Sequence, residues 1–286
     1  MVLFHHEERL VGLAPLIFRT EQSVRTLFLM GTGITDYLDG IWDPEFQDDC
    51  GQAMLAYLIS NHHRWDVCDF QELRAGSTLL KAGPIPTEWS EEIAIQNNCP
   101  SLKLAPNDEG LCRSIPPQQL KNFRYYQRRI EKMGQVHIDW ATESNLEELL
   151  EALFQLHGAR WAIRGCSGVL AETGIQRFHA EAAAALLSRG VLRLYGLRLN
   201  QKIIASYYGF LDKERAYFYL GGFDPAWERL SPGMVLVGYA MEEAAREGAK
   251  EFDFLRGEEA YKYKWGAKDR PNYRRRIKQK AACPEV

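Results

Sequence analysis

The sequence contains no GxSxG elbow, no P-loop, no HExxH and no GxGxxG. Each of these motifs places a nucleophile, a phosphate cradle or a metal pair at fixed spacing. Their absence sets aside the common serine hydrolases, NTPases, zinc proteases and dinucleotide enzymes. Metal chemistry has little support either. The six cysteines stand at 50, 68, 99, 112, 166 and 283. They form no CxxC pair, and no Cys/His cluster has zinc spacing. His5-His6 and His62-His63 have no carboxylate or cysteine company at ligand spacing and read as surface residues. No metal is expected. Reduced thiols are the simplest reading, which predicts a cytoplasmic protein. The first residues lack the long apolar core of a signal peptide. No apolar run of about 18 residues occurs, so no membrane span is predicted. An excess of one charge is missing too. The net charge of −3 argues neither for nor against nucleic acid.

What is present is the balance of a globular chain able to bury a core: 46% apolar and 26% charged residues over 286 positions. That length allows one large domain or two ordinary ones. Charge is unevenly spread. Nine Lys or Arg and a single acid, Asp269, fall between Tyr261 and Lys280. Such a stripe suits a phosphate-bearing partner; a solvated tail is the plain alternative.

Apolar runs at 2–5 and 10–18 read as a hairpin, and 24–30 as a further strand. A helix is expected over 52–60 and a strand over 65–71. Residues 79–117 carry many prolines and read as loops and short strands. Residues 118–133 are basic with helical character, and 136–140 reads as a strand. Ser144 is expected to cap a helix, with Glu147 at the capping-box position. Leu146, Leu149, Leu150, Leu153, Phe154, His157 and Trp161 share one helical face. Residues 165–168 form a break, and 173–189 a second helix stopped by Gly190. Strands at 191–199, 203–210 and 216–220 form an antiparallel meander. A helix over 231–247, ended by Gly248, and a strand over 251–255 complete a mixed sheet whose last pair is parallel.

The chemistry gathers at the end of this meander. Ser231 and Pro232 are suited to the cap and first position of a helix. Gly233 lets another group approach the backbone. The free amides and positive dipole of a first helical turn make an anion site; an ordinary capped helix is the alternative. Asp253 lies on the strand face opposite Phe252 and Phe254, as a site carboxylate or as a structural acid paired with Arg256 or a lysine. If 261–265 is extended, Lys262 and Lys264 share one face, and Tyr261, Tyr263 and Trp265 the other. A lysine there could steady developing negative charge, or merely blunt an edge strand. His157, with Arg160 and Trp161 three and four residues on, could accept a proton; a satisfied core histidine is the alternative.

These residues resemble a known group. The segment 252–266, with Tyr261, Lys262, Tyr263, Lys264 and Trp265, looks like the hallmark of CelD/BcsL-type acetyltransferases, a branch of the GNAT superfamily. Leu156, His157, Arg160 and Trp161, then Tyr219 to Asp224, then Ser231-Pro232-Gly233 match that pattern in order, as does 31–39. The resemblance implies an α+β GNAT-like mixed sheet with flanking helices over 136–286, preceded by a shortened, degenerate GNAT-like half over 1–135. It also implies acetyl-CoA or another acyl-CoA as donor. The pyrophosphate would rest on Ser231, Gly233, Met234 and Val235, and the pantetheine would pass between strands 216–222 and 251–255. Tyr219 and Leu220 are donor-site residues in this reading. Backbone amides of 219–222 with Lys264 would steady the thioester oxyanion, and His157 or Asp253 would handle the acceptor proton. Arg160, Trp161, Arg256 and Tyr261 would contact the substrate. The acceptor is expected to be a small molecule or glycan precursor. The family is similar to the FemABX enzymes, which use aminoacyl-tRNA, and Lys264 matches their assisting lysine. tRNA-dependent transfer and a non-catalytic scaffold in polysaccharide assembly are the alternatives. No nucleic acid other than tRNA is expected as partner.

Overall fold

A computed structural model describes residues 1–106, 110–163, 165 and 167–279. Cys166, Lys280 and Cys283, which figure in the sequence reading, lie outside the described residues. The chain divides into two units, Met1–Cys99 with Asp269–Val286, and Pro100–Lys268. The cut expected between 135 and 136 falls inside the second unit.

The first unit opens with the expected hairpin, β1 (Val2–His6) on β2 (Arg9–Ala14). Pro15 has no amide hydrogen to continue a ladder, and the chain passes there into β3 (Leu16–Glu21), which joins a different sheet. The single run expected over 10–18 is therefore two strands. There follow β4 (Val24–Leu29), β5 (Ile41–Trp42), α1 (Gln47–Ser60), β6 (Val67–Arg74), the short α2 (Thr78–Lys81) and β7 (Trp89–Asn98).

The second unit runs β8 (Ser101–Lys103), α3 (Pro117–Glu131), β9 (Val136–Trp140), α4 (Leu146–Ala162), α5 (Thr173–Ser188), β10 (Leu192–Leu199), β11 (Lys202–Asp212), β12 (Arg215–Phe223), α6 (Pro232–Arg246), β13 (Glu251–Asp253) and α7 (Ala260–Lys264). Its sheet has the order β8-β13-β12-β11-β10-β9, and only β12 and β13 run parallel. One face is packed by α3 and α6, with Phe123, Met241, Tyr207 and Phe252 in the core. The other is packed by α4 and α5, with Leu149, Leu153, Leu194 and Tyr208. The α+β class and the order helix, helix, meander, helix, strand are as the sequence predicts.

The last strand, β14 (Pro271–Gln279), belongs to the first unit. It lies between β6 and β7 in the five-stranded sheet β3-β4-β6-β14-β7. This corrects the reading of the basic tail as a phosphate stripe. Arg274 pairs with Asp69. Arg275 is buried, pairs with Glu91, and donates to the carbonyls of Leu79 and Ala82, each at 2.5 Å. Buried charges persist only with such partners.

Two local readings also change. The helix over 146–162 begins after Asn145, not at a Ser144 capping box, and no side chain caps it; Asn145 Oδ1 accepts instead from Thr142 N at 2.7 Å. The segment around Tyr261 is helical, not extended. Leu255 and Gly257 have positive φ, +56° and +112°, so the chain leaves strand geometry directly after β13.

Candidate functional site

The ladder between β12 and β13 has three rungs, Arg215↔Glu251, Ala216↔Phe252 and Tyr217↔Asp253. Past Tyr217, β12 continues to Phe223 without β13 beside it. A bulge loosens the same stretch: Tyr208 faces Leu220 and Gly209 faces Phe218, leaving Tyr219 as the extra residue. A cavity of about 540 Å³ opens along this freed end. Phe218, Gly221, Gly222 and Phe223 form one wall, and Ser231 to Met234 at the start of α6 another. Arg160 comes from the end of α4, Tyr261 and Lys264 from α7, and Gln119, Asn122 and Tyr126 from α3.

The structure thus brings together six of the expected residues: Ser231, Gly233, Met234, Arg160, Tyr261 and Lys264. The Arg160 guanidinium lies 5.7 Å from the centre of the Phe223 ring. Lys264 is exposed. Burial, then Glu259, pushes the Tyr261 phenol well above its ordinary range, so it stays protonated at neutral pH. Sequence reasoning missed Glu228, the one carboxylate among the described residues lining the cavity, and Ser206. Ser206 Oγ is buried with no hydrogen-bond partner among the described residues. No spacing in the sequence marks either one, because both reach the cavity through tertiary packing.

The start of α6 offers few free amides. Ser231 sits in the left-handed region, φ +48°, and its hydroxyl caps nothing, contrary to the expected cap. Pro232 has no amide hydrogen. The amides of Met234 and Val235 turn back to Ser231 O at 3.0 and 3.2 Å. Gly233 carries the amide that helix geometry leaves pointing outward.

The other expected residues do not line the cavity. His157 is buried beneath Gly222, where an added Cβ would lie 2.4 Å from His157 N. Trp161 Nε1 donates to its Nε2 at 2.9 Å. The neutral ring therefore carries its proton on Nδ1, which has no partner among the described residues. Burial, then Arg160, pushes its pKa down to about 4. Gly168 covers the pair, since a Cβ there would stand 2.8 Å from both rings. Asp253 is sealed from solvent, and its Oδ1 accepts from Leu255 N at 2.9 Å. Tyr219 packs on Tyr208 and His179, and Leu220 joins the same cluster under α4 and α5. Val235 is buried in the core beneath α6. Arg256 lies in the loop after β13, where its carbonyl accepts from Lys262 Nζ at 2.8 Å.

The sequence pattern groups Lys262 with Lys264. Two positions apart on a helix, they point apart. Lys262 is buried, and its Nζ donates to the carbonyls of Leu255, Arg256 and Gly257 at 3.1, 2.8 and 3.0 Å and pairs with Glu259 at 2.9 Å. It holds the loop that presents Tyr261 and Lys264. Among the described residues no group of three or more His, Cys, Asp or Glu could hold a metal, and no helix is long and apolar enough to cross a membrane.

A family model described as an acetyltransferase (GNAT) domain matches residues 117–263. No curated protein matches the sequence. Several solved structures share the fold at low identity. FemX superposes with a TM-score of 0.63 at 12% identity, covering 96% of this chain and 86% of that one. The C-terminal DUF2156 domain of a candidate lysylphosphatidylglycerol synthetase from Agrobacterium fabrum gives 0.61 at 14%, covering 94% and 85%. The L-PGS of Bacillus licheniformis gives 0.56 at 10%, covering 94% and 86%.

Proposed function

This chain belongs to the acetyltransferase (GNAT) domain family, and from that premise we propose that it moves an acyl group, acetyl in the first instance, from acyl-CoA to an amine or hydroxyl of a sugar or cell-envelope precursor. Within the family we assign it to the CelD/BcsL type, on the segment 252–266. The observation that carries the proposal is the cavity at the freed end of β12, bounded by the start of α6 and by α7. The residues present fit the donor: a strand edge open to a pantetheine chain, glycines at 221 and 222, an amide at Gly233 that the helix leaves free, and Arg160 lining the same cavity.

Bound acyl-CoA supplies an acyl group activated as a thioester. The chain does the rest. The open edge of β12 offers backbone donors to the acyl carbonyl, and Lys264 adds positive charge where the oxyanion develops. Tyr261, held protonated by burial, can donate a hydrogen bond to the departing sulfur as its negative charge develops. Glu228 is positioned along the cavity to take the acceptor's proton. Asp253 holds the turn after β13. His157 acts through Trp161 and its backbone contact under Gly222, as a support for Arg160. Calorimetry with acetyl-CoA tests the proposal: no binding at millimolar donor would sink it.

One observation favours a second reading. The start of α6 has a proline where a phosphate cradle would offer an amide. A donor without pyrophosphate suits that site as well. FemX and L-PGS, whose fold this chain shares, make aminoacyl transfer the alternative. Turnover with aminoacyl-tRNA and none with acyl-CoA would establish it.

A further inference from the structure

Helix α3 presents three faces. Phe123 and Ile130 are buried in the core. Gln119, Asn122 and Tyr126 line the cavity. The third face carries Lys121, Tyr125, Arg128 and, at the helix end, Lys132, spaced four, three and four residues apart along one side. All four are exposed, Tyr125 by 50%. Arg124, one turn away, is held by Glu242. Lys121, Arg128 and Lys132 make no ion pair among the described residues. Arg129 joins this face to the cavity. Its guanidinium lies 5.6 Å from the Tyr125 ring and 5.8 Å from the Tyr126 ring, and its Nη1 donates to Arg229 O at 3.2 Å, in the turn that leads into α6.

We propose that this face of α3 docks an anionic glycan chain whose end enters the cavity as the acyl acceptor. The proposal takes its direction from the function above, but docking is measured without turnover. The cations recur at roughly 6 to 10 Å along the axis, which suits charge repeated along a polymer. Unpaired Lys and Arg on one surface attract such polyanions. Tyr125 supplies a flat apolar face with a polar tip for a sugar ring. A single-stranded nucleic acid stacks successive bases on successive aromatics, and this face offers one. A membrane surface needs an apolar wedge, and the apolar side of α3 is buried.

Calorimetry on the intact protein tests this with an oligogalacturonate as probe. A neutral dextran oligomer of matched length, single-stranded RNA and anionic phospholipid vesicles are the comparison arms. Oligogalacturonate is expected to bind, more weakly as salt rises, and dextran is not. The combined variant Lys121→Glu, Arg128→Glu, Lys132→Glu should lose at least about tenfold in affinity with an unchanged melting temperature, because the substitutions lie on the surface. Tyr125→Ala should lose several-fold. Absent oligogalacturonate binding, undiminished affinity in the combined variant, or preferential capture of RNA or vesicles by the same residues would overturn the proposal. Failure of acetyl-CoA to bind would instead sink the acyl-transfer reading, and the acceptor role with it, and leave the docking face of α3 standing.

Discussion

Lys264 is exposed and lines the cavity, while Lys262, two residues earlier, is buried under three carbonyls. Their roles separate accordingly. Lys264→Ala should lower kcat/KM by roughly a hundredfold or more, the scale of a lost oxyanion contact, with the fold intact by circular dichroism. A variant that acylates at the wild-type rate would remove Lys264 from the mechanism. His157 gives a pH prediction. Its folded pKa, about 4, lies below the ordinary 6.5. The neutral ring is favoured by folding, so this contribution is complete above pH 6.5 and is lost as pH falls from 6.5 toward 4. The wild-type melting temperature should therefore fall more steeply across that window than that of His157→Gln. Parallel curves would mean that His157 titrates normally.

At the scale of elements, two contacts set the site. Gly222 lets β12 approach α4, because an added Cβ would stand 2.4 Å from His157 N and 2.5 Å from Leu156 C. Backbone cannot yield as a side-chain end can, so Gly222→Ala should cost about 1–3 kcal/mol, read as a lower urea midpoint with an unchanged slope. The loop between β13 and α7 depends on Lys262. Lys262→Met keeps much of the volume but leaves three carbonyls without their charged donor. It should destabilise by about 2–5 kcal/mol and reduce acyl transfer, since α7 carries both Tyr261 and Lys264.

At the scale of the whole molecule, the chain's last described strand closes its first unit. β14 pairs with β6 on one side and β7 on the other. Ile277 is fully buried in that unit's core beside Trp65 and Cys68. Deleting residues 269–286 removes a central strand and the partners of Asp69 and Glu91. The β-sheet signal should fall, and limited proteolysis should cut first within residues 1–99. Survival of those residues against protease would show that β14 is dispensable.

Much of the second unit was legible in the sequence. The apolar spacing of Leu149, Leu150 and Leu153, the meander from 191 to 220 and the strand–helix–strand step that follows are local patterns, written at period 3.6 or 2 along a few residues each. Ser231, Gly233, Met234, Arg160, Tyr261 and Lys264 stand out by type and position, and they line one cavity. The remainder depended on partners far along the chain. The arginines of β14 read as a solvated basic stripe until Asp69, Glu91 and two carbonyls made them interior. Lys262 and Lys264 looked equivalent until helix geometry turned one inward and one toward the cavity. His157 looked like a base until Trp161 took its lone pair and burial removed its affinity for a proton. Glu228 and Ser206 bore no mark at all. Propensity and periodicity are properties of neighbouring residues, whereas burial, charge pairing and the shape of a cavity arise only when distant segments exclude water from one another.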